Sequence, residues 1–446
     1  MARAMASSRR LHLHLLFCTA LLALGGSAAA EVAAPTTPAP KSPPDPMAWI
    51  RSDPMIFYLA KGEGDACGAG CSEWIAAEGN VDFAAPQRLR VLLGRLGKRK
   101  LPIFFHSPGG LMGGAMEIGR ILREREMSAG VSRTIPAGCI AAPDQACKSL
   151  KQSGQVVAAE LHAIAGCNSG CVYALVGAKV RQVPPGAKLG VHSAAIIRLN
   201  RDGRTKTVAL ADATADEKSR VAESTARARR YLQAMHVGAG LFEVTSKTPY
   251  EQVYYLSRDE VAAFGIDTRE FQETRWMAIE QPPRPPAVVK LIVEAKGPSR
   301  KEFRASMIKL ACAIPQRVHV AYARGLGSDE TAAVRSIKFT IAGKDISFSP
   351  KPFISKIEGL DSGGSFDTRS AYEPIELFAA AATADSLDVV ETDLNDRAAP
   401  PRITKLSTAG LSKAIEVLQK SCGQPPSFFD APEVKFLQGP GMGFKR

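Results

Sequence analysis

The sequence predicts an α/β fold with a mainly parallel sheet, followed by a second, β-rich domain that ends in a closing helix. Three observations carry this. Between residues 101 and 192 a short apolar strand, a turn of small residues and a helix recur in succession, the order that builds a parallel sheet. The chain has 446 residues, more than one ordinary core accommodates. After QPPRPP at 281–286 the texture changes to closely spaced strand-like runs. Apolar content of 45% and charged content of 23% are those of a globular protein.

Residues 1–30 read as a secretory signal peptide. Arg9 and Arg10 precede an apolar run, Leu11 to Leu24, and the small residues Ala28, Ala29 and Ala30 supply the cleavage site. The run is shorter than the ~20 residues a spanning helix needs. Residues 31–48 form a Pro-rich, extended leader. No later segment is long and apolar enough to span a bilayer. The expectation is therefore a periplasmic or secreted protein with no stable membrane span once the signal is removed.

The first domain, 49–280, starts with a strand at Met55–Ala60 and a Gly-rich loop at Gly62–Cys71. Ser72 caps a short helix expected at Glu73–Glu78. Leu89, Leu92, Leu93 and Leu96 fall at helical spacing within 84–97, with arginines between them. Leu101–Phe105 is a buried strand that runs into Ser107-Pro108-Gly109-Gly110, and a helix follows at Met112–Glu126. A strand near 129–134 leads into an irregular, Cys-bounded segment at 139–166. Ser169 then opens a helix, and another strand covers Ala187–His192. A long charged helix is expected at 207–235, and a shorter one at Arg258–Phe264. Residues 281–287 read as a Pro-rich linker. The second domain, 288–446, carries strands at VVKLIVEA, RVHVAYA, SIKFTIAG and DISFS and a helix at Thr408–Lys420.

The net charge is +13, and Arg3, Arg9 and Arg10 of it lie in the signal peptide. The remaining bases are dispersed and not interleaved with aromatics, which describes a solvated basic surface rather than a nucleic-acid site. Without Cys18, eight cysteines remain: Cys67, Cys71, Cys139, Cys147, Cys167, Cys171, Cys312 and Cys422. An even number in an exported chain points to four disulfides, among on the order of 100 connectivities. Proximity favours Cys67–Cys71, Cys139–Cys147 and Cys167–Cys171, leaving Cys312–Cys422 as a long closure. Zinc is the rival, but no histidines stand at finger-like spacing from the C-x3-C pairs, and no other metal set or cofactor motif is present.

Three elements can do chemistry. In Ser107-Pro108-Gly109-Gly110, proline fixes φ and the glycines leave backbone N–H groups unobstructed, able to hold a developing oxyanion. A tight strand-to-helix turn needs the same residues. Ser169 sits between Asn168 and Gly170 inside Cys167-x3-Cys171; it is a candidate nucleophile, or an N-cap. His192, at a strand end 23 residues later, is a candidate base, or a core histidine bonded to backbone. His106 adjoins the glycine turn, while His162, His236 and His319 have no evident partner.

Together FFHSPGG at 104–110, GCNSGCVYALVGAKVRQVPPGAKLGVHS at 166–193 and YYLSRDEVAAFGID at 254–267 resemble the Clp protease/crotonase superfamily, within it the Clp protease-like branch. The resemblance spans roughly residues 55–267. It implies a repeated ββα core, oxyanion N–H groups at Gly109, Gly110 and Gly170, Ser169 as nucleophile and His192 as base. It also makes self-association into a homo-oligomer plausible by analogy alone. More narrowly, the chain resembles predicted periplasmic, cysteine-containing offshoots of that branch.

One departure is chemical. The branch places an aspartate four residues before the serine of a Leu-Ser segment; set by Leu256-Ser257, that position holds Val253. Valine cannot orient an imidazole, and Glu251 is a possible substitute. The signal peptide peptidase A type uses a lysine base, which Lys218 matches by distance only. The crotonase branch lacks the serine–histidine pair and uses coenzyme A. The expectation is an exported serine hydrolase, a peptidase acting on a peptide or an unfolded protein segment without a cofactor. The alternative is an inactive scaffold used for binding or assembly.

Overall fold

The computed structural model describes residues 53–422, except 69, 140–144, 200–204, 209, 282–283, 296–301, 315, 327–333, 342, 349–352, 357–364, 385, 394–397 and 399. The expected signal peptide and leader lie outside the described residues. Among the described residues no helix is long and apolar enough to cross a membrane.

The α/β part begins with β1 (Ile56–Lys61) and β2 (Glu73–Glu78). The second was expected as a helix and is a strand. Trp74, Ile75, Ala76 and Ala77 are all fully buried, because β2 lies between β1, antiparallel, and β3, parallel. A six-residue run covered on both faces has no exposed side to give a helix its amphipathic stripe, and is too short to be helical alone. Helix α1 (Ala85–Leu96) follows, then β3 (Ile103–His106), α2 (Met112–Glu124) and β4 (Ser128–Val131).

Where one strand was expected near 129–134, the chain breaks at Ser132 and continues as β5 (Arg133–Pro136). The segment at 139–166 is also more regular than expected. It holds α3 (Gln145–Gln152) and β6 (Val157–His162). Strand order in the seven-stranded sheet is β5-β6-β1-β2-β3-β4-β8, with β8 at Val180–Gln182. Four of its six pairings are parallel. Consecutive strands β4 and β5 thus sit five places apart, β5 at one end and β4 next to the other, and the sheet curls back on itself. Trp74 Nε1–H donates to Thr134 Oγ1 across that curl at 2.9 Å.

The smaller sheet of this part is β12-β9-β7. Its strands are β7 (Gly166–Asn168) and β9 (Lys188–Val191), parallel, and β12 (Tyr254–Tyr255), antiparallel. Helix α4 (Gly170–Gly177) leaves β7 and is buried along its whole length. Between β9 and β12 come the hairpin β10 (Ile196–Leu199) and β11 (Thr205–Val208), then α5 (Ala215–Ala234) and α6 (Ala239–Lys247). Thr214 caps α5 with a reciprocal Glu217 bond, and Ser257 caps α7 (Arg258–Ala263) with Glu260.

The β-rich part is antiparallel. One sheet holds β13 (Phe271–Glu273), β14 (Met277–Gln281), β15 (Arg284–Ala295), β16 (Phe303–Ile314), β17 (Arg317–Gly325), β20 (Phe353–Lys356) and β21 (Ser365–Pro374). The other holds β18 (Val334–Ile341), β19 (Lys344–Ser347), β22 (Ser386–Asp393) and β23 (Arg402–Ser407). Helices α8 (Ile375–Ala381) and α9 (Leu411–Cys422) close its core. The Pro-rich stretch expected as a linker is instead part of a hairpin. β14 pairs with β15 through Gln281↔Arg284, and β15 already includes Pro285 and Pro286. Proline lacks an N–H, yet at the start of a strand its fixed φ suits extended backbone.

The two parts meet directly. Phe303 N–H donates to the Asp259 carboxylate at 2.9 Å, and Lys413 pairs with Glu160. All four expected cysteine pairs stand at bonding distance, with Cα separations of 5.1, 5.9, 5.2 and 5.3 Å in chain order. Cys312–Cys422 closes 110 residues and ties α9 to β16. Chain entropy alone assigns such a closure about 4–5 kcal/mol. Replacing both cysteines with alanine should lower the unfolding free energy of the β-rich part, read from the urea midpoint and slope, by an amount approaching that figure. An unchanged midpoint would mean that the cross-link constrains nothing the packing does not already hold.

Candidate active site

The site is assembled where β3 and β7 end side by side. Ser107 N–H donates to Gly166 O and Ser107 O accepts from Asn168 N–H, at 2.9 and 3.0 Å. Ser107 is fully buried, and its hydroxyl donates to Gly79 O at 2.6 Å. It also accepts the Gly109 N–H at 3.1 Å. Gly109 and Gly110 have φ of 111° and 128°, a region that side chains disfavour. Val81 N–H donates to Gly109 O, and Leu111 N–H to Val81 O. This ladder passes over the Gly110 N–H, which has no acceptor among the described residues.

Ser169 lies against this turn. A Cβ added to Gly109 would stand 2.7 Å from Ser169 Cβ and 2.6 Å from Asn168 O. One added to Gly170 would stand 2.8 Å from Gly110 O. Ser169 adopts φ 51° and ψ −121°, outside the regions ordinary side chains favour. The turn is over-determined: Ser169 N–H donates to Gly190 O at 2.7 Å, and Ser169 O accepts from Val172 N–H. The fully buried Cys167–Cys171 pair brackets it. The Ser169 side chain makes no capping bond to α4, which sets aside the N-cap role. Gly170, as first residue of α4, has a backbone N–H without an intrahelical acceptor.

His192 follows β9 and is half-buried, as is Ser169. Its Nδ1 is 2.9 Å from Ser193 O. In the tautomer where Nδ1–H donates, Nε2 keeps its lone pair. The chain is anchored at this point by the preceding peptide, whose Ser193 N–H donates to Thr248 O at 2.8 Å. The Tyr250 ring meets the imidazole edge-on, centroids 5.1 Å apart. No hydrogen bond joins Ser169 to His192 among the described residues.

Val253 stands where the resemblance places a carboxylate, and its side chain covers Gly190. A Cβ on Gly190 would be 2.6 Å from Val253 Cγ1. Glu251 is exposed and makes no described hydrogen bond to His192. It lines a cavity of roughly 450 Å³ beside the site. The acceptor at Nδ1 is thus a main-chain carbonyl. Its position carries no residue signature, so sequence reasoning had no signal by which to find it. Tyr250 and Thr248 were missed for a related reason: they act through a ring edge and a backbone oxygen.

The oxyanion expectation changes in one respect. Gly109 N–H is engaged by Ser107 Oγ, so the N–H groups left facing the site are those of Gly110 and Gly170. Gly109 matters for its bare α-carbon. Of the other candidates, Lys218 donates to Ala211 O at 3.4 Å on an exposed face. His162 pairs with Glu160, His236 lies in an exposed turn, and His319 packs on Tyr372. None of these joins the site. Among the described residues no group of three or more His, Cys, Asp or Glu side chains is arranged to hold a metal.

His106 is buried behind the glycine turn, where Nδ1 accepts the Gly166 N–H at 3.2 Å. Beside it, Glu78 accepts from Tyr58 O–H at 3.0 Å and pairs with buried Lys151 at 2.5 Å. Burial, reinforced by the positive charges of Arg133 and Lys151, holds the His106 pKa down at about 3.

No protein-family model and no curated protein matches the chain. Solved structures do match in fold. A mutant of ClpP1 from Listeria monocytogenes is 12% identical, covering 42% of this chain and 85% of that one, with a TM-score of 0.25. ClpP1 from the same organism gives 14% identity, the same coverages and a TM-score of 0.25. A mutant of the 1510-N membrane-bound stomatin-specific protease gives 12% identity, 42% and 73% coverage and a TM-score of 0.26.

The His106 environment has a measurable consequence. The unfolded chain protonates this imidazole below pH ~6.5, whereas the native state resists until about pH 3. Its stability contribution is therefore intact above ~6.5 and is lost as pH falls towards 3. Urea titrations at pH 7 and pH 5 should show the wild type losing roughly 2 kcal/mol more than His106→Gln. Equal losses would refute a buried neutral imidazole.

Proposed function

We propose that this chain is an exported serine hydrolase, a peptidase, working with a serine–histidine pair and no carboxylate. The observation that carries the reading is the strained Ser169 turn. It is seated on Gly109 and pinned to Gly190 O, two residues before a histidine whose Nδ1 is already engaged. Strain maintained by surrounding bonds is a common feature of active sites. Four cysteine pairs at bonding distance fit an oxidising compartment.

In this reading Ser169 Oγ attacks a substrate carbonyl carbon as its proton passes to His192 Nε2. The Gly110 and Gly170 N–H groups receive the oxyanion. Collapse breaks the C–N bond, and the imidazolium returns the proton to the leaving amine. Water, deprotonated by the same imidazole, then hydrolyses the acyl-serine. The Ser193 carbonyl fixes the tautomer, as an aspartate would, but as a neutral group it offsets less of the charge that forms on His192. In the serine-protease triad, losing the aspartate costs about 10⁴-fold because the wrong tautomer results, yet activity remains; here the tautomer is kept and the loss is confined to the weaker stabilisation of imidazolium. A slow hydrolase is the expected phenotype.

A second reading has its own observation. Val253 covers Gly190, and no hydrogen bond joins Ser169 to His192 among the described residues, as a binding scaffold that has lost catalysis would show. One experiment separates the two. The oxidised protein, treated with a fluorophosphonate probe, should be labelled at Ser169. Labelling should vanish in Ser169→Ala and slow by at least ~10²-fold in His192→Ala. A folded, oxidised wild type that takes no label would remove the hydrolase reading and leave the scaffold.

A further inference from the structure

The cavity of roughly 450 Å³ beside the site has the size of a small-molecule or side-chain pocket. It touches each catalytic element through a neighbouring residue. Met112 begins the helix after the glycine turn, Tyr173 belongs to the helix that Ser169 opens, Ser193 follows His192, and Tyr250 meets the imidazole edge. A substrate chain whose carbonyl lay at Ser169 would have this cavity within reach of an adjacent side chain.

The lining has a definite chemistry. Ile196, Val208, Val221 and Phe242 supply apolar wall. Two hydroxyls are already spent as donors, Thr245 Oγ1–H to Leu241 O and Ser246 Oγ–H to Phe242 O, at 2.7 and 2.8 Å. With its proton so placed, Ser246 Oγ keeps lone pairs to accept with, while Thr245 Oγ1 also meets the Tyr173 hydroxyl. Glu251 is the single charged residue of the described lining. The exposed Arg229 stacks on Phe242, 4.8 Å from the ring centroid, but is not part of the lining. In a chain of net charge +13, the cavity beside the nucleophile carries acceptors and a carboxylate.

We infer that this cavity selects a substrate residue with a long aliphatic stem ending in a cation, a lysine or an arginine. The stem lies along the apolar wall, and the cation meets Glu251 and the hydroxyl lone pairs. The inference rests on the hydrolase reading for its purpose, and binding tests it separately from chemistry.

The test uses the full chain as Ser169→Ala and fluorescent, capped alanine tripeptides extended by lysine, norleucine or glutamate, with anisotropy as readout at low salt. Norleucine keeps the aliphatic stem and lacks the ammonium. Lysine should bind about fivefold tighter than norleucine, the scale of a partly exposed ion pair. Glu251→Gln should erase that preference, and Glu251→Lys should turn it towards glutamate. Equal binding of lysine and norleucine, no binding of any peptide, or a lysine preference that survives Glu251→Gln would overturn the inference. Fluorophosphonate labelling of the wild type reports on the chemistry independently. A chain that selects lysine but takes no label keeps this pocket and loses the hydrolase reading.

Discussion

The site depends on the close approach of two turns. Gly109 and Ser169 come from different β-to-α connections, yet no Cβ fits between them. Their approach is enforced from both sides: Ser107 is hydrogen-bonded into β7, and Ser169 N–H into β9. The helices behind the turns are equally close. A Cβ on Gly177 would be 2.2 Å from Gly119 Cα, so α2 and α4 cross through bare backbone. Positive φ at Ser169 is tolerable because this packing leaves the turn no other path. The Cys167–Cys171 pair braces a geometry that hydrogen bonds already specify.

The histidine side is built differently. The segment 248–253 offers a backbone oxygen to the Ser193 peptide and a valine side chain to Gly190. It anchors the residue whose carbonyl the imidazole meets, and it brings no carboxylate into hydrogen-bond contact with the ring. A carbonyl dipole can choose a tautomer; it stabilises imidazolium less than a carboxylate does. The same segment carries Tyr250 and Glu251 to the mouth of the neighbouring cavity. One short loop thus sets the orientation of the base and the charge of the pocket.

Charge in the interior is placed behind the glycine turn. Glu78 and Lys151 are nearly fully buried and paired; Tyr58 O–H donates to the same carboxylate, and the charge of Arg133 is also close to it. Removing one member of such a pair commonly costs 3–5 kcal/mol, since the other is left charged and unsolvated. Lys151 comes from α3, which Cys139–Cys147 ties down, so the segment at 139–166 supports β2 and the site's rear wall. The β-rich part adds contacts through Asp259 and Glu160, at the flank of the α/β part.

Local chemistry was legible in the sequence. Apolar spacing placed α1 and α2, and the small-residue turn at Ser169 placed the start of α4. Glycines after Pro108 announced a tight turn, and cysteines a few residues apart announced their own pairing, because each property is set by neighbours along the chain. Relations between distant segments were not legible. EWIAAE reads as a helix until β1 and β3 are seen to cover both its faces, and QPPRPP reads as a hinge until β14 and β15 pair across it. Gly109 and Gly110 look equivalent in sequence; the Ser107 hydroxyl takes the N–H of one and leaves that of the other. The acceptor for His192 is a main-chain oxygen, which every residue possesses, so no side chain could signal it. Composition and spacing settle which groups are present and which turns they make. Which of those groups is left unpaired beside Ser169 is a matter of three-dimensional packing, since hydrogen bonds are shared out among neighbours in space.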